Sequence, residues 1–293
     1  MVVITKYWSP LRYPGGKACL ANQIKNIIIL NEIIGIDYAE SFAGGGGLAL
    51  SLLADGYVSH VHLNDLDSAI FAFWSSVLEE PSEMCRLIRD TPVTIEQWHH
   101  QKDVLSNPSK YSLLELGFAT FFLNRTNRSG IIKGGVIGGL QQNGNYKMDC
   151  RFNKNDLIQR IEFIASRKNY ISLTRFDACE FITNVINNNP KDCLAFLDPP
   201  YYKKRNQLYF NAFNHKDHLE LSKVIHNKLK EPWIVTYGDV PEINAMYSLS
   251  SNIRYQINYT VSTKKKGSEI MYYSPNLKVP PKLMRPFERE SYN

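Results

Sequence analysis

The chain has 293 residues and a net charge of +6, with 44% hydrophobic and 21% charged residues, which is ordinary for a globular protein. It has no apolar run of the roughly 18 residues that a membrane helix needs, and no apolar stretch near its start that would predict a secretory signal. The five cysteines are scattered without metal-ligand spacing, so neither a disulfide framework nor a metal site is predicted. We therefore expect a cytoplasmic protein that contacts no membrane and binds no metal.

Basic residues are unevenly distributed along the chain. Between residues 81 and 170 there are 13 Lys and Arg against 8 Asp and Glu, and from Lys264 to the end there are 7 against 3. An excess of this kind is typical of surfaces that lie near phosphate. On charge alone, a solvated basic face is the alternative interpretation.

Short apolar runs, each followed by a turn and a helical pattern, make up most of the chain. This alternation predicts an α/β fold with a parallel, doubly wound sheet and helices on both faces. Two late β-rich segments without a helix between them, 254–261 and 269–273, predict an antiparallel pair at one edge of the sheet. In chain order, a predicted helix at 20–31 is followed by strands at 36–42, 58–63, 170–174, 193–197 and 233–237, with helices at 48–54, 69–79, 178–187 and 217–229.

The alternation is interrupted between residues 81 and 168. This stretch has helical patterns at 113–124 and 154–167, and between them it is rich in the Gly-Gly and Asn-Gly pairs that mark turns. We interpret it as an inserted, mostly helical subdomain. The chain then divides into a discontinuous domain of residues 1–80 and 169–293 and an insertion of residues 81–168.

The strongest chemical feature is the turn Asp198-Pro199-Pro200-Tyr201, which directly follows the predicted strand 193–197. Sites in open α/β sheets form at the carboxyl ends of the strands. The prolines fix φ and supply no N–H donors, so the turn is stiff and presents acceptors. Such a site suits an amino group conjugated to an aromatic ring: Asp198 and the Pro199 carbonyl would accept its two hydrogens, and Tyr201 could stack on the ring. The alternative interpretation is an ordinary strand followed by an Asp-Pro turn that has no chemical role.

Glycines and acidic residues follow the first two predicted strands. Gly44 to Gly47 allow a tight turn and a close approach of a ligand to the backbone, but their spacing is not the dinucleotide fingerprint. Asp65 ends the second strand, where an acidic side chain commonly accepts hydrogen bonds from ribose hydroxyls, whereas Asp67 is placed to cap the next helix. Near the start, Gly15-Gly16-Lys17 opens a helix in the manner of an anion site, without the full spacing of a P-loop.

Together these segments resemble the Dam-type family of adenine-specific DNA methyltransferases over nearly the whole chain. The resemblance implies a Rossmann-like methyltransferase sheet, with the Asp-Pro-Pro-Tyr turn as catalytic residues and S-adenosylmethionine as methyl donor. It also matches Lys264 to Lys266 and Glu269 to an element that begins a final strand. The implied cofactor-binding residues are Tyr13, Gly16, Lys17, Phe42, Ala43, Gly44, Gly45, Gly46, Asp65, Phe176 and Asp177.

In that family the insertion reads DNA, so here it would be a target-recognition subdomain. GATC-type members carry an arginine shortly after an Asn-Gly turn. Here Ser129-Gly130 and Lys133 stand at those places, and GATC is therefore not assumed as the target. The residues we expect to contact DNA are Arg125, Asn127, Arg128, Lys133, Lys147, Lys203, Lys204, Lys264 and Lys265.

The expected reaction is transfer of a methyl group from S-adenosylmethionine to the amino group of an adenine flipped out of double-stranded DNA. A cognate restriction endonuclease is a candidate partner. The alternatives are a cytosine-N4 or RNA amino-methyltransferase, which would use a similar turn, and a non-catalytic DNA-binding relative. The intact Asp198-Pro199-Pro200-Tyr201 turn argues against the last of these. A nucleotide-dependent oxidoreductase is not favoured, because the glycines do not have the spacing of the dinucleotide fingerprint.

Overall fold

The structure of the protein is a computed structural model that describes residues 8–13, 15–202, 213–261 and 263–281, with side chains for all of these except 257–261 and 263–266. No helix in these ranges is long and apolar enough to cross a membrane.

Within the described residues the strands form one seven-stranded sheet in the order β3-β2-β1-β4-β5-β7-β6. The first five strands pair in parallel, and β7 runs antiparallel between β5 and β6. The predicted doubly wound α/β sheet with an antiparallel edge pair is confirmed. The strands are β1 (Ile36–Glu40), β2 (Val58–Asn64), β3 (Ile171–Thr174), β4 (Cys193–Leu197), β5 (Trp233–Gly238), β6 (Ser251–Val261) and β7 (Thr263–Tyr273).

The strand order reverses between β1 and β4, which lie side by side with Glu40 opposite Phe196. From β1 the chain proceeds outward to β2 and β3 on one side, and from β4 to β5 on the other. Loops leaving two such strands diverge to opposite faces of the sheet, and the crevice between them is where α/β proteins bind ligands. All five residues of β1 and of β4 are buried, so this crevice stands on the centre of the core.

Helices occur where the periodicity predicted them, with ends shifted by a few residues. Two begin with a capping box, in which Ser112 with Glu115 and Asn214 with Asp217 satisfy the first N–H groups reciprocally. The helices Pro81–Asp90 and Ile95–Ser106 and the short last helix were not predicted individually. The helices are α1 (Ala21–Leu30), α2 (Gly47–Ala54), α3 (Ser68–Glu79), α4 (Pro81–Asp90), α5 (Ile95–Ser106), α6 (Leu113–Thr126), α7 (Lys154–Ala165), α8 (Ala178–Asn184), α9 (His215–Asn227) and α10 (Pro241–Met246).

The segment 81–168 contributes α4 to α7, and its apolar side chains join the core of the sheet domain. Phe73 of α3 stacks on Phe121 of α6 with centroids 6.2 Å apart, and Phe152 packs on Phe121 and Phe122 at 5.5 and 5.4 Å. These rings belong to one hydrophobic cluster with the residues of β1 and β2. In the insertion, α4, α6 and α7 therefore pack against α3, and α5 packs on α6. A division into two domains at residues 81 and 168 stays a prediction.

Candidate active site

A cavity of about 870 Å³ opens at the carboxyl ends of β1, β2 and β4. It brings together segments that are far apart in sequence: the N-terminal segment, the glycine loop after β1, the turn after β4 and part of the insertion. All four predicted catalytic residues line it. So do all the predicted cofactor residues except Gly44, namely Tyr13, Gly16, Lys17, Phe42, Ala43, Gly45, Gly46, Asp65, Phe176 and Asp177.

The carboxylate of Asp198 is held from two sides. The Lys17 amino group lies 2.7 Å from Oδ1 and donates a hydrogen bond of 2.8 Å to Oδ2, while the hydroxyl of Thr236 on β5 donates to Oδ1 at 2.8 Å. The side chain of Lys17 is only 3% exposed and that of Asp198 is 24% exposed. Asp198 is therefore fixed in position while its carboxylate still faces the cavity.

A second carboxylate, Glu269 of β7, lies behind this ion pair and is fully buried. It accepts hydrogen bonds from the hydroxyls of Tyr201, at 2.5 Å, and of Tyr255, at 2.6 Å. Its Oε2 is 3.8 Å from the amino group of Lys17. The buried Lys17 therefore lies near both Asp198 and Glu269, and Glu269 also accepts the hydrogen bond of the Tyr201 hydroxyl. No local pattern predicted the roles of Thr236 and Tyr255, because both depend on which residues of neighbouring strands come to lie side by side.

For both Asp198 and Lys17, burial and the ion pair shift the pKa in opposite directions. Burial raises the pKa of Asp198, and the adjacent Lys17 charge offsets part of that rise. Burial alone would lower the pKa of Lys17, but the charges of Asp198 and Glu269 outweigh it and the pKa is raised. Lys17 therefore stays protonated, and its charge favours the ionised form of Asp198.

The glycine loop after β1 is built around two left-handed residues. Gly44 has φ +46° and Gly46 φ +58°, conformations that a side chain would strain. A Cβ at Gly44 would lie 2.8 Å from the ring of Tyr13, and one at Gly46 would lie 2.7 Å from the ring of Trp74. The Trp74 indole also donates to the Gly44 carbonyl at 2.9 Å. Glycine is thus required here because two aromatic rings pack directly on the loop.

Asp65 connects this loop to the end of β2. Its carboxylate accepts the Gly44 N–H at 2.8 Å and the Asp67 N–H at 3.0 Å, and burial raises its pKa to about 7. Asp67 caps α3, as predicted, by accepting from Ala69 and Ile70. Asp65 is therefore the acidic group presented to the cavity, beside the glycine loop.

Phe176 and Asp177 line the cavity beside the end of β2. The amide side chain of Asn64 holds Phe176 in place, accepting its N–H at 2.8 Å and donating to its carbonyl at 3.0 Å. The Phe176 ring is 37% exposed, so it presents a free aromatic face. Asp177 caps α8 through the Cys179 N–H, which occupies one of its oxygens.

Glu40 is a cavity residue that the sequence did not single out. It ends the buried strand β1, is 5% exposed, and accepts hydrogen bonds from the Tyr38 hydroxyl and the Ala49 N–H, both at 3.1 Å. Burial raises its pKa to about 8. A carboxylate inside a fully buried strand is unusual enough to have been a signal, since charged residues are rarely buried without a role.

The residues predicted to contact DNA fall into three groups. The first, Arg128, Lys133 and Lys147, is exposed on the insertion. The second, Arg125 and Asn127, is buried. The third contains Lys203 and Lys204, which lie outside the described residues, and Lys264 and Lys265, which are on β7 with side chains outside the description.

The prediction for Asn127 needs correction. Its side-chain oxygen accepts the Trp98 indole N–H at 2.7 Å, and its side-chain nitrogen donates to the carbonyls of Ile131 and Ile132 at 3.0 and 2.8 Å. Its side chain is 0% exposed. An amide that is buried and bonded on both sides holds the loop together and presents no atom to DNA.

The fold and the site are those of an α/β enzyme that has a partly buried carboxylate, Asp198, in a stiff, acceptor-rich turn at the switch point of its sheet. A comparison with protein families matches residues 13–263 to the D12 class N6 adenine-specific DNA methyltransferases. The chain belongs to this family, whose reaction is methylation of adenine N6 in DNA.

A search of curated protein sequences returns no match to the chain. Among solved structures, the rRNA methyltransferase aviRa from Streptomyces viridochromogenes is similar at 13% identity and a TM-score of 0.40, over 90% of this chain and 87% of that one. A SAM-dependent methyltransferase from Agrobacterium tumefaciens is similar at 11% identity and a TM-score of 0.43, over 91% of this chain and 62% of that one.

Proposed function

We propose that the protein is a site-specific DNA methyltransferase that transfers a methyl group from S-adenosylmethionine to N6 of an adenine extruded from duplex DNA. The observation that carries this proposal is the position of Asp198-Pro199-Pro200-Tyr201. The turn follows β4 directly and lines the same cavity as the glycine loop and Asp65.

The turn supplies what an adenine amino group needs in order to react. The nitrogen is a poor nucleophile because its lone pair is delocalised into the ring. Asp198 and the Pro199 carbonyl would accept its two hydrogens, which draws the nitrogen towards a tetrahedral geometry and frees the lone pair. Asp198 already receives bonds from Lys17 and Thr236, but a carboxylate has about four acceptor sites. It can therefore accept a further hydrogen without losing the bonds that position it.

We expect Tyr201 to stack on the base. Its hydroxyl is bonded to Glu269, and its nearest ring carbons lie 3.7 Å and 3.5 Å from where a Cβ would stand on Gly15 and Gly238. The ring is therefore oriented before a base arrives. Stacking of this kind is worth about 1–3 kcal/mol per base, comparable with the few kcal/mol that extrusion of a base costs.

The residues of the cavity also fit S-adenosylmethionine. Asp65 offers an acceptor for the ribose hydroxyls, and the exposed face of Phe176 offers a surface for the adenine ring. Glycine loop residues allow the backbone to approach the methionine part closely. When bound, this cofactor supplies an electrophilic methyl group on its sulfonium. The protein would then act mainly by aligning the amino nitrogen with that methyl group.

The test is to incubate the purified protein with unmethylated genomic DNA and methyl-labelled S-adenosylmethionine, followed by nucleoside mass spectrometry and modification-aware sequencing. Label in N6-methyladenine within one short motif is the expected result, and Asp198→Ala protein is the negative control. Label in N4-methylcytosine, or only in added RNA, would replace the proposal with the corresponding amino-methyltransferase. Absence of label despite normal cofactor binding would favour a non-catalytic relative.

The same reaction would protect DNA from a restriction endonuclease with the same target sequence, and we propose such an enzyme as a partner in the cell. The motif found by sequencing identifies the endonucleases to try. DNA treated with the protein should resist cleavage by an endonuclease of that specificity, while DNA treated with Asp198→Ala protein should be cut.

A further inference from the structure

Four arginines from separate parts of the chain line the cavity that contains Asp198. Arg12 precedes the Gly-Gly-Lys segment, Arg125 lies in the last turn of α6, Arg151 follows the glycine-rich loop, and Arg160 is on α7. We call these four residues the arginine cluster. The sequence singled out only Arg125 among them, because the other three come together only when α7 packs beside the N-terminal segment.

Backbone carbonyls fix the orientation of three of these side chains. Arg12 Nη1 donates to the Asn127 carbonyl at 3.2 Å, Arg125 Nε to the Arg151 carbonyl at 2.8 Å, and Arg160 Nη1 to the Ser9 carbonyl at 2.9 Å. A guanidinium has five N–H donors. Each of these bonds therefore holds a guanidinium plane and leaves other donors for a ligand.

The positive charge of the cluster is largely uncompensated. Among the described residues, Asp156 is the one carboxylate in an ion pair with it, 2.8 Å from Arg160 Nη2. Burial, followed by the charges of Arg160 and Arg12, lowers the pKa of Arg125 to about 10. Like charges held together at this cost are typical of a site for an anion.

We propose that the arginine cluster binds a backbone phosphate of the DNA strand that carries the target adenine, an inference that rests on the proposed function. An adenine that leaves the duplex enters the cavity still attached to its sugar and phosphates, so an oxyanion arrives beside the base. Guanidinium groups bind phosphate through paired N–H···O bonds. Three of the four arginines belong to the insertion, and Arg151 is exposed.

The methionine carboxylate of S-adenosylmethionine is the other oxyanion that could enter this cavity. Both are recognised by the same chemistry, so the experiment must separate them. The position of the cluster favours phosphate, because the insertion that supplies Arg125, Arg151 and Arg160 also carries the exposed Arg128 and Lys133.

The experiment compares wild type with Arg151→Gln, Arg151→Lys and, as a matched control, Arg86→Gln. Arg86 is an exposed arginine on α4 of the same insertion, ion-paired with Glu83 at 2.8 Å. Dissociation constants are measured for duplex DNA carrying the methylated motif, at several salt concentrations, and separately for S-adenosylmethionine. If no motif has been found, a mixed-sequence duplex is used.

We expect Arg151→Gln to weaken DNA binding about fivefold to tenfold and to reduce the salt slope by about 1, as for loss of one phosphate contact. Arg151→Lys keeps the positive charge but cannot donate two parallel hydrogen bonds to one phosphate, so it should give an intermediate loss of DNA affinity. Affinity for S-adenosylmethionine should stay within about twofold of wild type. Arg12→Gln, checked for folding by its thermal transition, should repeat the DNA result.

DNA affinity and salt slope equal to those of Arg86→Gln would overturn the inference. So would weakened binding of S-adenosylmethionine with DNA binding unchanged, because the cluster would then hold the cofactor carboxylate. Binding is measured without turnover. A protein that binds DNA with the expected arginine dependence but methylates nothing would therefore defeat the proposed function while supporting the phosphate site.

Discussion

The amino group of Lys17 lies 2.7 Å from Oδ1 of Asp198, although the two residues are 181 positions apart in the sequence. The pair joins the Gly-Gly-Lys segment to the Asp-Pro-Pro-Tyr turn, so the two strongest N-terminal and C-terminal motifs are parts of one charged site. Removing one partner of a buried ion pair leaves a charge without compensation, at a typical cost of about 3–5 kcal/mol. Lys17 is thus the electrostatic partner of the carboxylate that we propose accepts the amino hydrogens.

Lys17→Met should shift the pH dependence of methylation. Lys17 lowers the pKa of Asp198, whereas burial and Glu269 raise it. Without the lysine this pKa rises further, and the ionised form needed to accept the amino hydrogens is lost at a higher pH. We expect the acidic limb of the kcat/KM profile to move upward by at least about one pH unit.

The control is Lys25→Met, which removes a lysine paired with Asp55 at the surface and should leave the profile unchanged. Lys17→Met protein must first be shown to fold, by its circular dichroism spectrum and by binding of S-adenosylmethionine. An acidic limb at the wild-type pH would mean that Lys17 does not set the ionisation of Asp198.

Asp198→Ala should reduce methyl transfer by about 10³-fold or more, since a preorganised partner of the reacting group is worth about that much. Binding of S-adenosylmethionine, measured by calorimetry, should change by less than about twofold. Thr236→Val removes a single hydrogen bond to Asp198 and should cost about tenfold. Loss of cofactor binding in well-folded Asp198→Ala protein would contradict the assigned role.

Glu40 makes the stability of the ligand-free protein depend on pH. Its folded-state pKa is raised from 4.5 to about 8, so the folded protein keeps a proton that the unfolded chain releases. Its contribution to the free energy of unfolding is full below about pH 4.5 and is lost as the pH rises towards 8, with a slope of at most about 1.4 kcal/mol per pH unit.

Glu40→Gln cannot ionise and should therefore become more stable relative to wild type as the pH rises from 5 to 8. Urea unfolding at four pH values in this range measures the difference. Glu83→Gln, at an exposed glutamate paired with Arg86, serves as the control. A difference between Glu40→Gln and wild type that stays constant with pH would show that Glu40 is ionised in the folded protein.

Asn127 and Arg128 are neighbours, but mutation of the first should lower stability and mutation of the second should lower DNA affinity. Asn127→Ala leaves the Trp98 indole and two backbone carbonyls without their partner, at an expected cost of about 2–3 kcal/mol in unfolding free energy. Arg128→Gln changes an exposed side chain and should alter stability by less than about 0.5 kcal/mol while weakening DNA binding. Thermal unfolding and DNA affinity, measured on both variants, distinguish the two roles. Equal stability of the two variants would contradict the structural role of Asn127.

Features that depend on neighbours along the chain could be predicted from the sequence. Apolar or alternating runs predicted the strands from β1 to β5, because a strand covered by helices places apolar side chains on its covered faces. Asp67 was recognised as a helix cap because capping involves only the next three residues. The Asp-Pro-Pro-Tyr turn and the glycine loop were found for the same reason, and the family match confirms the class of protein that they indicated.

The partners of the side chains in these motifs depend on how the strands and helices pack. Glu269 meets Tyr201 and Lys17 because β7 inserts between β5 and β6, and no local pattern fixes that order. Arg125 and Asn127 lie in a segment predicted to contact DNA, and both are buried because α6 packs between α3 and α5. Arg125 nevertheless lines the cavity, whereas Asn127 is bonded inside its loop. Charge and burial at a site are sums over residues from many parts of the chain. Such sums are fixed only when the helices and strands have packed, which is why the ion pair of Lys17 and the arginine cluster became visible only in the folded protein.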